Sequence, residues 1–168
     1  SLPIYTNDSS IENKYVFSKY YSPNENAILS FRFLAQSINS LSGDDVRISK
    51  RIYLPSKRLK GFEFGRIGPK DGEDYIGGNY ATALNFATTL PGIFKDLESI
   101  DFSFFIDSGN VWGVDYSDII DDNSKIRTST GLAVDWLTPI GPLSFSFAKA
   151  LTKADTDKTE TFRFDIGT

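Results

Sequence analysis

Cysteine, histidine and methionine are all missing from this chain of 168 residues. Without cysteine there are no disulfides and no thiolate metal sites to hold a fold together. Without histidine, the usual general base and the commonest metal ligand are gone as well. No apolar run approaches the ~20 residues that a membrane-spanning helix needs. That excludes a helical membrane protein but not a barrel, whose alternating strands average to modest hydropathy. A surplus of basic charge is also lacking: the net charge is −4, so the chain as a whole has no attraction for nucleic acid. The first residue is Ser1, and no charged-then-apolar leader precedes the first strand. On that ground the chain is expected to be a piece of a longer protein.

What the chain does have is aromatic residues and alternation. There are fourteen Phe and eight Tyr, which suits a β protein and equally suits the aromatic girdles of a membrane interface. Apolar and polar residues alternate at 100–107, 128–136, 143–148 and 162–167. Side chains along a strand point to opposite faces in turn. One face therefore carries Ile100, Phe102, Phe104 and Ile106, then Leu132, Val134 and Trp136, then Leu143, Phe145 and Phe147, then Phe162, Phe164 and Ile166. The other face carries Asp101, Ser103 and Asp107, then Ser129, Gly131 and Asp135, then Ser144 and Ser146, then Arg163 and Asp165. Weaker alternation sets Leu29, Phe31 and Phe33 against Ser30 and Arg32, and Leu84 and Phe86 against Asn85 and Ala87.

Seven strands are expected, over 14–21, 27–36, 78–88, 100–111, 126–137, 143–150 and from 160 onward, with a helical turn at 94–97. A soluble sandwich would bury the greasy faces between two sheets; a membrane barrel would turn them to lipid and keep water inside. Short Pro/Gly turns trade places with long polar loops, as in an outer-membrane barrel. Single-chain bacterial barrels have an even number of strands, and a sheet with a lipid face cannot stay open. An odd set therefore implies further strands on the N-terminal side.

The aperiodic segment 37–76 is long enough to suggest a job. It holds seven basic residues, Lys50, Arg51, Lys57, Arg58, Lys60, Arg66 and Lys70, against Glu63 alone between positions 50 and 70. Such a run is ordinarily a solvated patch. Folded into a lumen lined by Asp101, Asp107, Asp135 and Asp165, it would instead meet opposite charge at reduced dielectric. Catalysis is not expected: no histidine joins the paired carboxylates, and Ile67-Gly68-Pro69 lacks the ending of a phosphate loop. No metal or cofactor is expected either.

Several motifs together resemble the BamA family of bacterial surface antigen barrels. They are Leu59-Lys60-Gly61-Phe62, Ile67-Gly68-Pro69-Lys70, Gly77-Gly78-Asn79, the run 105–112, the run 138–143 and the ending 162–167. The resemblance implies an all-β, antiparallel transmembrane barrel of about sixteen strands, of which residues 1–168 are the C-terminal seven-strand portion. The long loop at 37–76 would fold inward; the N-terminal strands and the periplasmic POTRA domains would be absent. It implies an assembly factor, not an enzyme, that folds and inserts β-barrel proteins into the bacterial outer membrane. Its partners would be unfolded outer-membrane clients, accessory lipoproteins and outer-membrane lipids, with no nucleic acid. A related secretion or autotransporter-assembly barrel, or a passive porin, is the alternative. The same resemblance implies that Lys60, Gly61 and Phe62 form the inner-loop anchor with Asp107. Lys60 stands where an arginine is usual, and a second wall acid is implied where Ala87 stands. Ile67, Gly68 and Pro69 would be a loop motif, and Phe162, Phe164, Ile166 and Gly167 the seam strand.

Overall fold

A computed structural model describes residues 9–43, 45–93, 99–115, 120–121 and 123–166. Seven long antiparallel strands make one sheet: β1 (Ser10–Asn24), β2 (Ala27–Ser40), β5 (Tyr80–Pro91), β6 (Ile100–Trp112), β7 (Arg127–Thr138), β8 (Gly141–Thr152) and β9 (Phe162–Ile166). They lie side by side in chain order, β1-β2-β5-β6-β7-β8-β9. A two-residue hairpin, β3 (Lys70–Asp71) with β4 (Asp74–Tyr75), sits in the long loop. Each expected strand is present, and most run further than alternation reached. β1 starts at Ser10 and β2 continues to Ser40, because polar strand ends carry no periodic signal. The helical turn expected at 94–97 lies outside the described residues.

All the neighbours are meanders, joined alternately by short turns and long excursions. The β1–β2 and β7–β8 turns are tight, whereas the β2–β5, β6–β7 and β8–β9 connections are long and lie together at the other end. Register puts the aromatic residues on one face in continuous cross-strand rows. Phe17, Phe31 and Phe86 follow one another across β1, β2 and β5, and Phe145 meets Phe164 at 5.0 Å between ring centroids. Such pairs stabilise a ladder by a fraction of a kcal/mol up to about 1 kcal/mol each.

That face has nothing packed on it among the described residues. Tyr15, Phe17, Leu29, Phe86, Phe104, Ile106, Leu132, Trp136, Phe147, Phe162 and Phe164 are all exposed. A contiguous apolar surface of this extent is not stable against water. A packed sandwich is therefore excluded, and hydrocarbon is the solvent the face suits.

The opposite face holds the core. Residues of the long loop (Val46, Ile52, Leu54, Leu59, Phe62 and Ile67) are buried against Leu34, Ile38, Ala81, Ala83 and Val111 of the wall. The expected meeting of basic loop and acidic wall is present in Lys60–Asp107, and apolar packing is added to it. Full burial of one such apolar side chain contributes roughly 1.5–3 kcal/mol. A buried ion pair loses most of its Coulomb energy to desolvation. The six apolar side chains together contribute more than the Lys60–Asp107 pair that joins this loop to β6.

Candidate functional site

The long loop enters the concave side of the sheet under main-chain control. The Asp115 carboxylate accepts the Val46 N–H at 2.9 Å and the side-chain amide of Asn79 at 2.5 Å. Ile52 and Gly78 exchange both backbone hydrogen bonds, at 2.8 and 3.0 Å. A 3₁₀ turn at Ser56–Arg58 then delivers Lys60-Gly61-Phe62 to the wall. Gly61 has φ +89°, and a Cβ there would lie 3.0 Å from the Ala148 Cβ and 3.3 Å from the Ser129 Cβ. Both the left-handed backbone and the close approach require glycine.

Lys60 is joined to β6 and β7 by side chain and main chain together. Its Nζ lies 2.7 Å from Asp107 Oδ2, and its backbone N–H donates to the same oxygen at 3.2 Å. Its carbonyl accepts from the Ser129 hydroxyl. The ammonium also sits 4.0 Å from the centroid of the Phe105 ring, a distance at which the ring quadrupole attracts a cation. Asp107 is 0 % exposed and Lys60 15 % exposed at the side chain. Burial holds the Lys60 ammonium below the ordinary lysine range; the charge and hydrogen bond of Asp107 pull it back without cancelling that effect. The pair is therefore a positional device more than a large source of stability. Beside it lies a cavity of about 390 Å³, lined by Arg32, Lys57 and Lys60 with Asp135 and Asp165 facing them.

Ala87 is expected to stand in place of a second wall acid beside Asp107, and the register corrects that position. Ala87 lies across from Phe105, whereas the residue directly across from Asp107 is Asn85. Asn85 donates to Asp107 Oδ1 at 2.7 Å and to the Arg58 carbonyl at 2.8 Å. Its own carbonyl oxygen accepts from Arg58 Nη1 at 3.3 Å. A neutral amide thus fills the place beside the carboxylate, which matches a single-point ammonium instead of a two-armed guanidinium. Two adjacent carboxylates sharing one ammonium would repel. Asn85→Asp is accordingly expected to destabilise the folded barrel by about 1–3 kcal/mol. Lys60→Arg should restore part of that loss in the double variant but bring no gain alone, as read by denaturant unfolding of the full-length protein.

The other expected site residues are placed as follows. Phe62 is buried and bridges Thr159 of the β8–β9 connection. Ile67 and Pro69 are buried, with Gly68 packed against Val111. Phe162, Phe164 and Ile166 all point outward and are exposed; Gly167 lies outside the described residues. Two contacts escaped the sequence, though Arg127 itself reads as an inward-facing residue. Phe105 faces inward under Lys60, where the polar series had a gap. Arg127 at the start of β7 forms a bidentate pair with Asp157, both contacts at 2.8 Å and both side chains 0 % exposed.

A one-sheet wall with an oily outer face and an inward-folded loop defines the class: this is part of an outer-membrane β-barrel. The Omp85 superfamily domain matches residues 3–168. The chain belongs to that superfamily. It is 31 % identical over 145 residues to the outer membrane protein assembly factor BamA of Neorickettsia risticii (strain Illinois), covering 84 % of this chain and 19 % of that protein. The BamA of Neisseria meningitidis serogroup B is 32 % identical over 142 residues, covering 66 % and 17 %. The crystal structure of BamA from Haemophilus ducreyi lacking POTRA domains 1–3 superposes with a TM-score of 0.83 at 28 % identity, covering 97 % of this chain and 35 % of that one. The chain thus spans about a fifth of the length of these curated relatives.

Proposed function

We propose that this chain is the C-terminal part of the barrel of an outer-membrane protein assembly factor, which folds β-barrel clients and inserts them into the bacterial outer membrane. The observation that carries the reading is the seating of the Lys60-Gly61-Phe62 tip on Asp107 and Ser129 inside a wall whose last strand is held by a short ladder. Among the described residues β9 pairs with β8 through five residues, from Leu143–Ile166 to Phe147–Phe162. Its other side presents unpaired backbone groups among the described residues. In hydrocarbon each such group costs several kcal/mol. Strands preceding this chain would close the barrel weakly against β9, and a client strand could pair there in their place by β-augmentation.

No covalent step is required of any residue in this scheme. The inner-loop anchor, Lys60 with Asp107, would keep the wall rigid while the seam stays weak. Clients, accessory lipoproteins, lipids and POTRA domains are partners in this reading. The test is reconstitution of the full-length protein in liposomes with a urea-unfolded outer-membrane barrel as client. Faster client insertion than in empty liposomes is expected. Steady ion conductance with no acceleration would mean a passive pore and would end the proposal.

A further inference from the structure

Among the described residues, the stretch 156–160 leading into β9 is bonded to the inner loop in place of β8. Lys158 O accepts from the Glu63 N–H at 3.0 Å, and Lys158 N–H donates to Arg66 O at 3.1 Å. Glu160 N–H donates to Gly61 O at 3.2 Å, Phe62 bridges Thr159, and the Tyr75 hydroxyl donates to the Thr156 carbonyl. The β8–β9 ladder meanwhile stops at Phe147–Phe162, extended only by the Ala148 N–H to Thr161 O bond at 2.8 Å. β8 itself runs on to Thr152. Continuing the same register would set Leu151 against Lys158. The lead-in therefore has two similar sets of main-chain partners, and such hydrogen bonds differ little in net value. Something else must select between them.

Arg127 and Asp157 have the geometry to do so. Asp157 lies inside the stitched segment, between Thr156 and Lys158, and Arg127 is rooted in β7, next to the register shift at Thr128/Ser129. Arg127 Nε and Nη2 grip both carboxylate oxygens, while Nη1 donates to Asn110 Oδ1 and, at 3.2 Å, to Asn123 O. Asp157 Oδ2 also accepts the Ala154 N–H at 2.6 Å. A fully buried, fully hydrogen-bonded pair adds little net stability but tolerates no displacement.

We propose that Arg127 and Asp157 are a positioning pair that latches the β8–β9 connection onto the inner-loop tip and so sets where the last strand's ladder ends. The latch rests on the proposed function only for its consequence, that it limits how much of the β9 edge is paired. It also closes a ring of contacts: inner loop to β6 and β7 through Lys60, inner loop to the β9 lead-in through Gly61 and Phe62, and lead-in back to β7 through Asp157.

The test uses the full-length protein in nanodiscs without client, so that a failure of the assembly reading does not disturb it. Asp157→Asn keeps the shape; the double variant Arg127→Met/Asp157→Leu removes the charges while filling the space. Amide exchange at Glu63, Lys158 and Glu160 is expected to rise at least tenfold in the double variant, with the amides of Phe104 and Leu132 unchanged. Arg127→Lys should fall between it and the unmodified protein. Because this chain has no cysteine, a Leu151→Cys/Lys158→Cys pair reports the alternative ladder, and it should oxidise readily only in the double-variant background. Unchanged exchange at the three lead-in amides, an equal rise across all strands, or equal disulfide formation in both backgrounds would overturn the latch.

Discussion

Lys60→Ala is expected to lower the stability of the full-length barrel by about 3 kcal/mol, seen as a drop in the temperature at which it loses its folded mobility on a gel. The reason lies in the partner left behind. Asp107 is 0 % exposed, and removing the ammonium strands a carboxylate that retains hydrogen bonds from Asn85 and from the backbone of residue 60, with Arg58 left as a countercharge that reaches it only through Asn85. The reverse truncation, Asp107→Ala, should cost less. A released Lys60 has a long stem and borders the cavity that also holds Asp135 and Asp165, so its charge can turn toward them. Asp107→Glu should be milder still, since it keeps the charge and adds one methylene to a crowded site. Equal gel-shift temperatures for Lys60→Ala and the unmodified protein would show that the apolar loop residues hold the tip unaided.

The asymmetry between these variants shows what the sequence carried and what it did not. Strand existence and facing were legible because lipid outside and a filled lumen inside impose a period of two, and nearly every residue of 100–107 or 143–148 obeys it. Phe105 breaks that rule: an aromatic side chain on the polar face reads as noise until Lys60 is found above it. The inward course of the loop followed from its basic charge against the acid-bearing face and from resemblance, not from any periodicity of its own. Its attachments are isolated bridges (Ile52 with Gly78, Phe62 with Thr159 and Lys70 with Asp121), none of which repeats along the chain. The β3–β4 hairpin did carry a signal, the Asp71-Gly72 pair typical of tight turns, within a segment dominated by charge.

Partner identity was the hardest feature to read. Asp107 could be matched to Lys60 only through the family pattern. Asn85 and not Ala87 proved to be the residue beside it, because register across β5 and β6 depends on where the strands begin and a shift of two keeps the same face. Arg127 and Asp157 are separated by 30 residues, and Asp157 sits in a run of charges (Lys153, Asp155, Lys158) whose ordinary fate is solvent. Burial alone distinguishes it from its neighbours, and burial of a single charge in a polar loop leaves no mark in composition.

Gly131→Ala should disrupt the wall more than any other single methyl group added to the lumen face. Gly131 lies between Phe105 on β6 and Ala148 on β8 in the ladder. A Cβ there would fall 2.0 Å from the Phe147 carbonyl oxygen, 2.8 Å from Phe105 Cζ and 2.9 Å from the Ala148 Cα. The first and third are backbone atoms, so no rotamer change relieves them; β7 and β8 must separate or the β7 backbone must bend. Overpacking ordinarily costs about 1–3 kcal/mol, and the loss of neighbouring ladder bonds adds about 1 kcal/mol for each one broken. Displacement of the Phe105 ring would also take away the surface under the Lys60 ammonium, joining a defect in the sheet to the loop tip. Gly72→Asn is the matched control: nothing lies within 4 Å of its Cβ position at φ +57°, a conformation asparagine accepts. Folding yield of the full-length barrel should collapse for Gly131→Ala and remain unchanged for Gly72→Asn. A fully folded Gly131→Ala barrel with its midpoint of denaturation intact would mean that the β7–β8 contact is looser than its register implies.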